Sequence, residues 1–244
     1  AASQEIPAPE TLDTPDWPPD YGAVLAWRQQ QMARFEQDPE YLESARAYYG
    51  LMEPQSCIDW INGWLDIYEP RNVGKSNRRV RSPMVLFRRQ DDMIRFFMAC
   101  MGADASGLVD KSRDMGATWC GLSFSHWLWT FHDGATIGWG SNHLEQVDKL
   151  GEPDTIFEKL RAQIRLAPPC FRQRSAAEPA KVILDGEHLK HGICINPENG
   201  AIIRGQGGKN IGRGGRSRIY FVDEAAHLEQ PEAVEASLSE NTRC

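Results

Sequence analysis

Lys111-Ser112-Arg113-Asp114-Met115-Gly116-Ala117-Thr118 stands between a short apolar stretch, Gly107-Leu108-Val109-Asp110, and a long one, residues 117–131. The short stretch reads as a buried strand. The long one, crowded with Trp119, Phe124, Trp127, Leu128 and Trp129, reads as a helix. A turn from strand into helix presents unpaired N–H groups and a partial positive charge, which suit a phosphate. The phosphate-loop pattern GxxxxGK[ST] is met only in part. Gly116 and Thr118 hold the second glycine and the Ser/Thr positions, Ala117 stands where the lysine belongs, and Lys111 stands at the first glycine. On this run alone, a tight turn carrying a solvated lysine and arginine is an equal reading.

A second motif lies downstream, Ile219-Tyr220-Phe221-Val222-Asp223-Glu224. Its four apolar residues read as a buried strand, with two acids at the end where open α/β sheets bind ligands. Asp223 would hold Mg²⁺ through water. Glu224 would polarise the attacking water. A strand followed by a solvated acidic turn is the plainer alternative, but with the phosphate loop upstream the pair favours an ATPase. Between the motifs runs Arg204-Gly205-Gln206-Gly207-Gly208-Lys209-Asn210-Ile211-Gly212-Arg213-Gly214-Gly215-Arg216-Ser217-Arg218, glycine-rich, basic and free of acids. It reads either as a mobile connection or, better, as a loop presenting arginines to a phosphate of nucleotide or DNA.

The flanking pattern supports an α/β domain. Residues 154–166 read as an amphipathic helix, with Ile156, Phe157, Leu160 and Ile164 on one side. Strands are expected at 135–139, 191–195, 201–204 and 218–222, giving strand–helix alternation and a largely parallel sheet. Upstream, residues 21–49 and 54–67 suit helix, and polar, basic 69–81 reads as a linker. Residues 1–20, with Pro7, Pro9, Pro15, Pro18 and Pro19, read as a flexible arm. The expected division is therefore an arm (1–20), a helical region with linker (21–82) and the α/β domain (83–244).

Of the 244 residues, 41% are hydrophobic and 25% charged, enough for one sizeable core. The formal net charge of −7 gives no direct argument for nucleic acid, so such contacts would rest on local basic patches. None of the six cysteines forms a CxxC pair, so a zinc ribbon or redox motif is not expected, and scattered thiols suit a reducing cytosol. There is no long apolar run, so no membrane span is expected. His188 and His191 have HxxH spacing without a second cluster and are read as structural or exposed. His126, His132 and the tryptophans around them are read as packing.

Several ordered motifs together resemble the large terminase subunit of tailed phages. They are the run from Lys111 to Trp119, with its lysine displaced upstream, and Asn199-Gly200-Ala201-Ile202-Ile203 followed by Gly212-Arg213-Gly214-Gly215-Arg216 and Tyr220-Phe221-Val222-Asp223-Glu224-Ala225-Ala226-His227. Ile58-Asp59-Trp60, Tyr68-Glu69-Pro70-Arg71 and Phe87-Arg88-Arg89-Gln90 extend the resemblance over most of residues 55–244. It implies a P-loop NTPase fold of the ASCE, RecA-like type, a parallel sheet flanked by helices, with an N-terminal helical extension. It implies ATP and Mg²⁺ as cofactors and ATP hydrolysis coupled to translocation of double-stranded DNA.

The nucleotide-binding set it implies is Lys111, Ser112, Arg113, Asp114, Met115, Gly116, Ala117 and Thr118, with Gln90 near adenine. Lys111 would contact the β- and γ-phosphates, Arg113 would assist or sense the γ-phosphate, and Thr118 and Asp223 would ligate the metal. Glu224 would be the catalytic base. Arg213, or failing it Arg216, would reach into a neighbouring subunit's site. Implied partners are double-stranded DNA, the portal protein of the prohead, the small terminase subunit and further copies in a homo-oligomeric ring, with no membrane. The implied place is the host cytoplasm, at the portal vertex. Gly140-Ser141-Asn142-His143-Leu144 departs from the family, which often has basic residues after the serine. The family's coupling motif and nuclease acids lie beyond Cys244, so no DNA cleavage is expected of this chain. Two other readings remain: a helicase-like nucleic-acid-dependent ATPase, and a non-hydrolysing nucleotide-binding assembly module.

Overall fold

The computed structural model describes residues 9–12, 18–76, 79–112, 115–173, 188–213 and 215–241. Helices α1 (Tyr21–Gln37), α2 (Pro39–Tyr49) and α3 (Pro54–Trp64) lead into a two-stranded ribbon, β1 (Asp66–Tyr68) with β2 (Arg81–Pro83). Then come α4 (Arg88–Ala103), α5 (Ala117–Phe131), β3 (Thr136–Ser141), α6 (Leu144–Val147) and α7 (Ile156–Leu166). The chain ends with β4 (Leu189–Lys190), β5 (Ile193–Ile195), β6 (Ile202–Gly207), β7 (Ile219–Val222) and α8 (Pro231–Asn241). The second sheet has the order β4-β5-β6-β3-β7. β6 and β7 both run parallel to β3, whereas β5 runs antiparallel to both of its neighbours, β4 and β6, so the sheet is not the largely parallel one expected. The fold is thus mixed α/β, with eight α-helices among the described residues and a mixed five-stranded sheet.

The helical stretch expected over 21–49 is two helices. Proline cannot continue a helix and drives the residue before it out of the α region. Asp38 accordingly sits at φ −134°, and its side chain accepts from the Tyr41 N–H at 3.0 Å, starting α2 afresh. Part of the arm is held here as well: the Glu10 N–H donates to the Tyr41 hydroxyl at 3.1 Å.

The stretch read as a linker is bracketed by the β1–β2 clasp and shares only Arg81 with it. Buried Asp66 takes Arg28 on one oxygen at 2.6 Å and Arg81 on the other at 2.5 Å. Arg28 also donates to the carbonyls of Gly63 and Leu65, tying α1 to the end of α3. Breaking such a pair from one side leaves a buried charge and costs about 3–5 kcal/mol.

A single cluster of buried residues runs from Phe35 to Ile203. α5 is its axis. Trp60, Trp64, Trp127 and Trp129 are all fully buried in it, so these rings are core rather than a stacking surface. The Trp127 Nε1–H donates to the Tyr49 carbonyl at 2.6 Å, and the Trp129 Nε1–H to the Cys194 carbonyl at 3.2 Å. A second lock is Arg161 of α7, 1% exposed, whose guanidinium grips Asp148 after α6 and the Lys190 carbonyl of the β4–β5 hairpin. That hairpin replaces the one strand expected over 191–195. His191 and Gly192 make its turn, with Gly192 at φ +67°, and His191 Nε2 lies 3.1 Å from the Asp148 carbonyl oxygen.

Residues 107–110 do not form the expected buried strand. They are irregular, and Leu108 is 83% exposed. Leu108 and Val109 are adjacent, so an extended chain cannot bury both on one face, and flanking Gly107 and Asp110 have poor strand propensity. Among the described residues no helix is long and apolar enough to cross a membrane.

His126 is fully buried on α5, with its ring edge-on to Trp60 at 5.0 Å. Burial, opposed only by the Gln163 amide, pushes its pKa down to about 3. An unfolded histidine titrates near about 6.5. Unfolding therefore takes up a proton below that pH. The stability owed to the neutral ring is complete above about 6.5 and drains away as pH falls toward 3. Half-buried His132, pushed down to about 4 by burial and by Arg218, acts in the same sense. We expect unfolding free energies from urea titrations to fall steeply between pH 6.5 and 4.5, by up to about 1.4 kcal/mol per pH unit for each ring. His126→Gln should flatten the curve, and an unchanged slope would exonerate this ring.

Candidate functional site

β3, β6 and β7 finish on one side of the sheet, at Ser141, Gly207 and Val222. Asp223 follows directly, its N–H donating to the Gly140 carbonyl at 2.9 Å, so the pairing with β3 carries on to the first acid. Thr118, in the first turn of α5, reaches the same point. Its hydroxyl donates to Asp223 Oδ2 at 2.9 Å, across 105 residues of sequence. The start of α5 and the acidic strand end, read separately in the sequence, therefore meet.

The start of α5 has no side-chain cap and no acid in its first turn. Among the described residues its leading N–H groups have no side-chain acceptor, an arrangement that a phosphate-binding helix start also shows. Gly116 precedes it at φ +72°, and a Cβ there would stand 2.7 Å from Gln90 Nε2. Gln90, near the start of α4, donates from that nitrogen to the Met115 carbonyl at 3.0 Å. Gln90 is thus a brace for the loop itself. Ala117 is half-buried, while Lys111 and Ser112 are exposed on the irregular segment leading in. Arg113 and Asp114 lie outside the described residues.

Asp223 Oδ1 accepts the Glu224 N–H at 3.1 Å. Glu224 is exposed and holds φ +54°, a left-handed conformation that costs an ordinary side chain roughly 1–2 kcal/mol. The two candidate metal ligands are one hydroxyl and one carboxylate in contact. That set fits Mg²⁺, which takes one or two protein oxygens and completes its shell with water and phosphate.

The two candidate arginines part company. Arg213 lines an open depression of about 400 Å³ with Leu144, Gln206 and Gly207, on the same side of the sheet as Asp223. Arg216 lines another, of about 480 Å³, with His132, Thr136 and Arg218, where β3 and β7 begin. Two residues with no sequence signal of their own stand behind Arg213. Gln206 accepts the Tyr220 hydroxyl at 2.8 Å and the Gly212 N–H at 3.0 Å. Asn241 bonds to the Gly212 carbonyl at 3.0 Å. Burial raises the Tyr220 phenol's pKa, so it stays a donor.

No protein-family model matches the sequence, and no curated protein matches it.

Gly116→Ala combines two faults, the positive φ and the clash with Gln90. In a Gln90→Ala background only the first, roughly 1–2 kcal/mol, survives. A double-mutant cycle should yield a coupling of about 1 kcal/mol in unfolding free energy. Simple additivity would mean that Gln90 does not press on the loop.

Proposed function

We propose that this chain is a P-loop ATPase lobe of a DNA-packaging motor of the terminase large-subunit type. The observation that carries the reading is the contact between Thr118 and Asp223 at 2.9 Å. It pairs a hydroxyl on a bare helix start with a carboxylate at the carboxyl end of a parallel strand, the two oxygens a nucleotide-bound Mg²⁺ takes from such a protein. In this reading Lys111 supplies the charge that Ala117 lacks, reaching the β- and γ-phosphates from the far end of the loop. The N–H groups at the start of α5 cradle phosphate oxygens. Thr118 and Asp223 would hold Mg²⁺, which would supply positive charge to the phosphates. Glu224 accepts a proton from the attacking water and aims it in line with the leaving group. Arg213 completes the charge stabilisation at a neighbouring copy's site.

The translocated substrate would be double-stranded DNA. The setting would be a ring at the portal vertex of the prohead, with the portal protein and small subunit as partners. A second reading, a nucleotide-binding assembly module, gains from the exposure of Lys111 and of Leu108. The two differ in turnover. A helicase-like ATPase would differ from a packaging motor in responding to single strands rather than to proheads.

Lys111→Ala should abolish hydrolysis and weaken ATP binding, measured with a fluorescent ATP analogue and by phosphate release. Normal turnover in that variant would sink the displaced-lysine assignment. Glu224→Gln should bind Mg-ATP as the parent does and stop turning over. If it loses binding instead, Glu224 serves the fold rather than the water.

A further inference from the structure

Helix α8 is half-buried at Val234 and over residues 237–239 and mostly exposed elsewhere. Asn241, at its end, is its buried residue, 7% exposed. The Asn241 side-chain amide donates to the Gly212 carbonyl at 3.0 Å and to the Gly215 carbonyl. The Asn241 backbone carbonyl accepts the Ser217 N–H at 3.2 Å. These contacts grip the basic segment just before Arg213 and around Arg216. From the other side, Gln206 accepts the Gly212 N–H at 3.0 Å. Gly212 stands at φ +76°, and a Cβ there would lie 2.9 Å from Ser237 Oγ and 3.2 Å from Leu238, so α8 packs directly on this glycine.

An arginine on a glycine-rich loop has reach but little position of its own, because each glycine leaves the backbone a wide choice of conformations. A primary amide is suited to remove that freedom. Its one nitrogen carries two donors in a fixed plane and can serve two carbonyls from separate points of the chain. We propose that Asn241 is the positioning residue of this loop. By clamping the Gly212 and Gly215 carbonyls it keeps Arg213 on the Asp223 side of the sheet, with Arg216 at the other, and so presents Arg213 to a phosphate-bearing site on a second copy of the chain. This rests on the trans-arginine part of the proposed function. The clamp also links the two halves of that function mechanically, since α8 starts shortly after Glu224 and spans about 16 Å at 1.5 Å per residue.

The test uses the full chain with Asn241→Asp, which keeps the size but removes both donors, and Asn241→Ala as the second variant. Native trypsin digestion, mapped by mass spectrometry, reads the clamp directly. Cleavage after Arg213 and Arg216 should quicken at least tenfold in both variants, relative to cleavage after exposed Lys75 in the same digest. In assembled rings, Asn241→Asp should lower kcat for ATP at least tenfold and leave KM within twofold. Adding Arg213→Ala to it should cause little further loss, since both changes remove one effect. Unchanged cleavage in both variants overturns the clamp. Faster cleavage with undiminished ring turnover, where Arg213→Ala rings are impaired, overturns the positioning role. Arg213→Ala rings at full speed overturn the trans-arginine reading itself, and with it the catalytic purpose of the clamp.

Discussion

α5 has almost no solvent face. Every residue from 120 to 130 is buried, between the N-terminal helices and α4 on one side and α7 and the sheet on the other. A helix packed all round cannot turn or slide without opening voids, and losing a single tryptophan from such a core costs about 3–5 kcal/mol. Trp127 and Trp129 add axial stops, because their ring N–H groups end on the carbonyls of Tyr49 and Cys194, which belong to different layers. Thr118 is therefore placed by the packing of the ten or so residues that follow it, not by the loop that precedes it. Asp223 is placed in the same manner. The Arg218 N–H on the Thr136 carbonyl and the Asp223 N–H on the Gly140 carbonyl bracket β7 against β3. The Thr118–Asp223 contact is the consequence of two rigid placements made independently.

That separation of causes decides what was legible in the sequence. α5, α7 and the parallel strands carry their own patterns, because each buries a contiguous set of its own residues. The site's acids, Gly116 and Thr118 were legible too, since each sits at the end of such an element. The β1–β2 clasp was not. Its strands have three residues each, too few for a pattern, and what selects the pairing is Asp66 meeting Arg28 and Arg81 from different elements. Residues 107–110 failed in the opposite way: an apolar pair suggested burial, but burial of a strand needs a partner edge as well as a face. Gln206 and Asn241 were invisible because they bind backbone groups up to 29 residues away, and any backbone offers those groups whatever its sequence.

The parting of Arg213 and Arg216 follows from topology rather than from charge. β6 and β7 both run parallel to β3, so β6 ends on the carboxyl side of the sheet and β7 starts on the other. The connection between them has to travel the length of the sheet. Parallel strands commonly use a helix for that passage. Here the passage, residues 208–218, contains only a single 3-10 turn at Gly208–Asn210 among its described residues. Whatever comes early in such a crossing stays near the carboxyl side, and whatever comes late arrives at the amino side. Arg213 and Arg216 fall on either side of that division, though only three positions separate them. A crossing without a helix has no hydrogen-bond ladder of its own, so its polar backbone must be satisfied from outside. α8, laid over the passage, brings Asn241 to the Gly212 and Gly215 carbonyls and to the Ser217 N–H, and meets that need midway. On the positioning role proposed for Asn241, the same bonds that satisfy the backbone would also hold Arg213 on the side of the crossing where topology leaves it, so one set of peptide-pairing contacts would serve both ends.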